Sequence, residues 1–120
     1  MMAPADLLGM ELPPHAKIYR EGDVLAAVMP ISDGAWEVHC GAAPDRRGRI
    51  ALEAFRRLIA QFWSDYPDAI TLIGVMEATH RAARVNAVRL GFIPFLTDNL
   101  PWPDGSVRLT ACYRLERAQS

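Results

Sequence analysis

The segment AWEVHCGAAPDRRGRIALEAFRRLIAQFW, residues 35–63, changes its hydrophobic period in the middle, and that change decides the fold. From Ala35 to Ala42 apolar and polar residues alternate. Trp36, Val38 and Cys40 fall on one face of a strand, and Glu37 and His39 lie side by side on the other. After Pro44 the repeat becomes helical: Leu52, Phe55, Leu58, Ile59, Phe62 and Trp63 line one side, with Arg56, Arg57 and Gln61 opposite. The spacing predicts an amphipathic helix of about four turns, ended by Tyr66, Pro67 and Asp68. Ile70 to Met76 then runs almost unbroken in apolar residues, the pattern of a strand buried on both faces. Strand, helix, strand predicts a parallel pair joined by a crossover helix.

Working outward, Lys17–Arg20 and Val24–Met29 read as hairpin strands around Glu21, Gly22 and Asp23. Ser32, Asp33 and Gly34 mark the next turn. Thr79 is the expected N-cap of a second helix running to Leu90, with Gly91 as its stop. Phe92–Leu96 and Val107–Leu115 are the expected last strands, with Asn99, Pro101, Trp102, Pro103 and Gly105 in the loop between them. Residues 1–14, broken by Pro4, Gly9, Pro13 and Pro14, read as an N-terminal arm, and residues 15–120 as a single domain. The order predicts a mixed sheet of about six strands with helices on its faces.

Composition sets the limits. With 51% hydrophobic residues and balanced charge, 13 Lys and Arg against 14 Asp and Glu, the 120-residue chain has the apolar content for one core and no net field for nucleic acid or an anionic membrane. Any anion site must come from a local cluster. No run of 18 apolar residues predicts a membrane span, and the expectation is a cytoplasmic protein. Cys40 and Cys112 lack metal or redox spacing and are expected to be buried free thiols. No His, Cys, Asp and Glu set has the spacing of a metal site.

The local cluster lies at the strand-to-helix junction. Arg46, Arg47 and Arg49 flank Gly48, which allows close backbone approach, and the helix that follows offers amides and the positive end of its dipole. The combination reads as a diphosphate cradle. Together the order of elements, the segment from Val38 through Arg49, and the ending Ala83, Ala87, Leu90, Gly91, Phe92 resemble the GNAT family of acyl-CoA-dependent N-acetyltransferases. The likeness runs over about residues 17–95 and looks nearest to small phage- or prophage-associated members with a strand Glu-x-His before the loop.

The resemblance implies an α/β fold of α+β character, with a mixed, mostly antiparallel sheet, a central parallel pair and two main helices. It implies acetyl-CoA as acyl donor, held by Arg46, Arg47, Gly48, Arg49, Ile50 and Ala51, and a small-molecule or protein amine as acceptor. His80 falls near the position where many members contact the cofactor arm, and backbone amides around Gly41 and Ala42 would meet the oxyanion. Acetyl transfer needs a neutral amine, and Glu37 and His39 flank the expected pantetheine path, His39 as base and Glu37 as its orienter or as a base through water. Two departures stand out. Ile50 and Leu52 occupy places where the family has small residues, with side chains expected to turn into the core, and Ala87 stands where many members carry a general-acid tyrosine. A non-catalytic member with a binding or phage-associated structural role is the rival expectation.

Glu77 is expected to serve the N-terminus of the following helix, His15 to be a surface residue, and Trp102 to line a pocket or an interface. The final two-strand arm leaves a sheet edge that a homodimer could cover.

Overall fold

A two-residue loop at Gly22 and Asp23 pairs β1 (Lys17–Glu21) with β2 (Val24–Ser32), in register from Glu21↔Val24 to Lys17↔Val28. Gly22 supplies the positive φ, 55°, that such a loop needs at its first position. The computed structural model describes residues 1–118. β3 (Ala35–Ala42) pairs antiparallel with β2, and α2 (Arg49–Asp65) then crosses over to β4 (Thr71–Glu77), which lies parallel to β3. α3 (Arg81–Arg89) leads to β5 (Ile93–Pro101) and β6 (Val107–Glu116). The sheet order is β1-β2-β3-β4-β6-β5, mostly antiparallel with β3/β4 the parallel pair, as the sequence predicts.

The core sits between the sheet and the helical layer. α2 buries Ala51, Ala54, Phe55, Leu58, Ile59 and Phe62 against Val24, Ala26, Val28, Val38 and Leu72. Phe62 is its centre, 1% exposed, with Trp36 and Tyr66 rings 5.2 and 5.4 Å away. The C-terminus of α2 is closed by Arg117, whose guanidinium donates to the carbonyls of Trp63, Tyr66 and Ala69 and stacks on the Trp63 ring. Gly91, at φ 97°, ends α3: Phe92 N–H bonds to the Ala87 carbonyl and Gly91 N–H to that of Val88.

Four expectations are corrected. The cap of α3 is His80 rather than Thr79: its Nδ1 accepts from the Ala83 N–H at 3.3 Å. β5 runs on to Pro101, because at the sheet edge its prolines, Asp98 and Asn99 need not donate to a second neighbour. β4 is not buried on both faces. Leu72 and Gly74 are covered by the helices, but Ile73 and Val75 are half-buried and Ile70 is exposed. The reason is that, among the described residues, the opposite sheet face carries only α1 (Pro4–Leu8), within the expected arm, and α1 lies over β2 and β3. Finally, Cys40 is exposed; Cys112 is buried, and both are free thiols.

α1 fixes the position of β3 by contact with backbone. Leu7 packs on Leu25, Ala27 and Ala43, and a Cβ added to Gly41 would lie 2.2 Å from the Leu7 carbonyl oxygen. Gly41→Ala therefore has to displace α1 or the strand. We expect a loss of about 1–3 kcal/mol in urea denaturation, typical of overpacking; unchanged stability would mean that α1 does not hold this position.

Candidate functional site

β3 and β4 pair from Ala35↔Thr71 to Val38↔Gly74, and there the pairing stops although both strands continue. β3 goes on to Ala42 beside β2, and β4 goes on to Glu77 beside β6. The sheet thus opens in a V whose apex is Val38 and Gly74. Backbone groups of His39–Ala42 and Val75–Glu77 that would form a ladder face the opening instead.

One limb of the V feeds the cradle. Ala43, its N–H bonded to the Asp23 carbonyl, leads into a short 3-10 turn, Pro44–Arg46, and Gly48 turns the chain with φ 87° and ψ −141°. L-residues rarely adopt that conformation. The first helical hydrogen bond of α2 is Leu52 N–H to the Gly48 carbonyl, and no side chain caps the helix. The N–H groups of Arg49, Ile50 and Ala51 consequently precede the helical ladder with the dipole's positive end behind them. Arg46, Arg47 and Arg49 are exposed around them. Arg47 Nε reaches back to the Ala42 carbonyl at 3.4 Å, and Arg49 is 3.9 Å from Glu53. Ile50 corrects the expectation that it turns inward: it is 55% exposed, while Ala51 is buried and Leu52 half-buried. The amides stay open on the solvent side, and space above Gly48 is empty within 4 Å of an added Cβ.

The other limb ends at His80. With Nδ1 accepting from the Ala83 N–H, the neutral ring carries its proton on Nε2.

At the apex, on the sheet face away from α2, His39 Nε2 lies 3.0 Å from Glu37 Oε2. The carboxylate makes Nε2 the donor, so Nδ1 is the free basic nitrogen. His39 is the first β3 residue past the last β3/β4 pair, and its side chain is 18% exposed. Sequence period therefore located the pair, and the fold joins it.

The C-terminal end of β4 is braced by groups the sequence did not disclose. Glu77 does not serve α3; its carboxylate takes Arg108 Nη1 at 2.9 Å. Arg108 also binds Asp104 and Ser106 and lies 4.5 Å over the Trp102 ring. Trp102 Nε1 donates to Thr110 Oγ1, a hydroxyl with no solvent exposure. Hydrogen bonds from the Ser106 hydroxyl and N–H, then Arg108, hold the Asp104 carboxyl at about 2. Gly74 at the apex is the one local sign of the opening, a glycine inside an apolar strand.

No family model matches this chain, and no curated protein matches it. Solved structures do. An acetyl transferase from Salmonella typhimurium that modifies the N-terminal serine of ribosomal protein L7/L12 superposes with a TM-score of 0.71 at 12% identity, over 88% of this chain and 66% of its own. The microcin C7 self-immunity acetyltransferase, solved with acetyl-CoA and AMP, gives 0.65 at 14% identity over 78% and 54%. A GNAT-family acetyltransferase from Bacillus anthracis gives 0.64 at 10% over 78% and 57%. The fold is that of the GNAT acetyltransferases. This chain spans 54% to 66% of the length of these three GNAT-fold structures.

Cys40 lies on the helix side of the opening. The residue as a whole is exposed, yet desolvation by the protein around it pushes the thiol up to about 12. It is therefore protonated at pH 8 and a poor nucleophile. We expect alkylation by iodoacetamide at pH 8, followed by mass spectrometry, to be much slower than for glutathione; an equal rate would mean that Cys40 is freely solvated.

Proposed function

We propose that this chain binds acetyl-CoA along the V between β3 and β4 and transfers the acetyl group to a primary amine, of a small molecule or a protein. The observation that carries this reading is the coincidence of two features on one strand: pairing lost after Val38↔Gly74, and an uncapped helix N-terminus behind a positive-φ glycine directly downstream. A similar structure solved with acetyl-CoA supports the choice of donor.

On this reading the diphosphate rests on the N–H groups of Arg49, Ile50 and Ala51, with Arg46, Arg47 and Arg49 adding charge and Gly48 leaving room. The thioester supplies the acetyl group. The Nδ1 of His39 takes a proton from the acceptor's ammonium, and Glu37 holds the tautomer and stabilises the imidazolium. The amine nitrogen bonds to the carbonyl carbon, the carbon–sulfur bond breaks, the His39 proton goes to the departing thiolate, and the nitrogen's remaining excess proton then passes to the freed Nδ1 or to water, leaving the neutral amide. Amides near Gly41 and Ala42 receive the charge that develops on the carbonyl oxygen. His80 borders the pantetheine path from the far limb. Two free thiols fit a cytoplasmic setting. The β5 edge, exposed along nearly all of its nine residues, suits a homodimer contact.

Ile50→Asp tests the cradle without disturbing the core. The new carboxylate sits in the first turn, where it satisfies the open amides and favours the helix dipole. Thermal stability should hold or rise, while acetyl-CoA affinity by isothermal titration calorimetry falls at least about tenfold. Unchanged affinity would remove the diphosphate from this place.

His39→Ala tests the base. Acetyl-CoA affinity should stay as it is, and turnover of an amine panel should drop about 10²–10⁴-fold. Affinity with no turnover in the parent protein would favour a binding role, the reading to which Ala87, buried where a tyrosine acid is common, already lends weight.

A further inference from the structure

A cavity of about 320 Å³ lies outside the V, between α3 and β6. It is lined by Val85, Val88 and Tyr113, with Arg81, Arg84 and Arg89 at its rim. α2 meets α3 on the opposite flank, where Arg56 donates to the Arg89 carbonyl and Leu90 faces Ile59 and Trp63. The groove is thus separate from the proposed acyl-CoA path.

Its composition is unexplained by folding. Val88 is 57% exposed, Val85 36%, and Leu109, on the same face of β6 as Tyr113, 50%. No carboxylate among the described residues pairs with Arg81, Arg84 or Arg89. Arg81 and Arg84 stand in the first turn of α3, which has no acidic residue and whose dipole disfavours cations. Arg84 is fixed there by its bond to the Ala78 carbonyl at 2.7 Å. An apolar floor beneath three unpaired guanidiniums is a local conflict that a ligand of opposite charge removes.

We infer that this groove docks an acidic amphipathic helix of another protein, whose apolar stripe covers Val85, Val88 and Leu109 and whose carboxylates meet Arg81, Arg84 and Arg89. Self-association through the groove sets six guanidiniums against each other and is disfavoured. Nucleic acid fits less well, because the groove's aromatic ring, Tyr113, is buried and offers no face for base stacking. The nine residues of α3 are about 13 Å long, enough for some two turns of a partner helix.

The probe is a fluorescein-labelled 14-residue helical peptide with Leu on one stripe and Glu elsewhere, titrated with the full chain by anisotropy. Two control peptides replace Glu by Lys or Leu by Ala. Two protein variants, Val88→Asp and Arg81→Glu/Arg89→Glu, change exposed side chains only, and circular dichroism checks their folding. We expect both controls and both variants to bind at least about tenfold more weakly than the parent pair, with affinity indifferent to added acetyl-CoA. Equal binding of the Lys peptide, variants that bind like the parent, or no binding up to about 1 mM would overturn the inference. So would an oligouridylate of equal affinity that is sensitive to Arg81→Glu/Arg89→Glu and not to Val88→Asp, which would assign the face to nucleic acid.

Discussion

Two neighbouring parallel strands can part only if each is held on its other side and something occupies the groups left facing the gap. Both conditions bear on the apex at Val38 and Gly74. β3 is kept in place by β2 as far as Ala42 and by α1, whose Leu7 carbonyl comes close enough to exclude any side chain at Gly41. β4 is kept in place by β6 as far as Glu77, and the Glu77–Arg108 pair with Trp102 behind it braces that limb at its tip. Without these outer partners the strands would zip together, since unmet backbone groups away from water are costly. The rigid opening is therefore a product of the whole sheet rather than of the residues that line it.

The same partition arranges charge. A formal net charge of −1 conceals a helical layer on which α2, α3 and the junction before α2 carry Arg46, Arg47, Arg49, Arg56, Arg57, Arg81, Arg84 and Arg89. Of the 14 carboxylates, Asp45, Glu53 and Asp65 lie on that layer; the rest lie on the strands, on α1 and in the loops. Glu21 neutralises Arg57 at 2.8 Å and Glu53 lies near Arg49; the others keep their charge for whatever meets the helices. Counting charges rules out a global field, and it is silent about this local one.

What could be read from the sequence follows from range. The 2.0 and 3.6 periods located β3 and α2, Gly91 marked the end of α3, and alternation placed Glu37 and His39 on one face, because all of these are set within a few residues. The errors have long-range causes. β5 reads as shorter than it is because prolines break strands in general, though not on an edge; β4 reads as doubly buried because the lack of a full helical layer over its second face is a tertiary fact. Cap propensity favours Thr79 over His80, and the Ala83 N–H bond to His80 overrides it. The V itself has a single local trace, Gly74. Arg117 closing α2 across the fold, and Arg108 bridging Glu77 and Asp104, leave none.

The buried alanine at 87 bears on how far the proposed chemistry is complete. In α3 the residues that reach the core are Ala83, Asn86, Ala87 and Leu90, half-buried or buried, and none can give up a proton near neutral pH. A leaving thiolate must then be protonated from water or from the group that accepted the acceptor's proton. The Glu37–His39 pair suits the second route: a histidine with one nitrogen anchored to a carboxylate gains and returns a proton at the other without changing its tautomer. Its partly exposed position at the apex lets an amine reach it from the part of the sheet face that α1 leaves open. One pair doing both proton transfers couples deprotonation of the acceptor to release of the thiol, so a single ionisation would govern both limbs of the reaction.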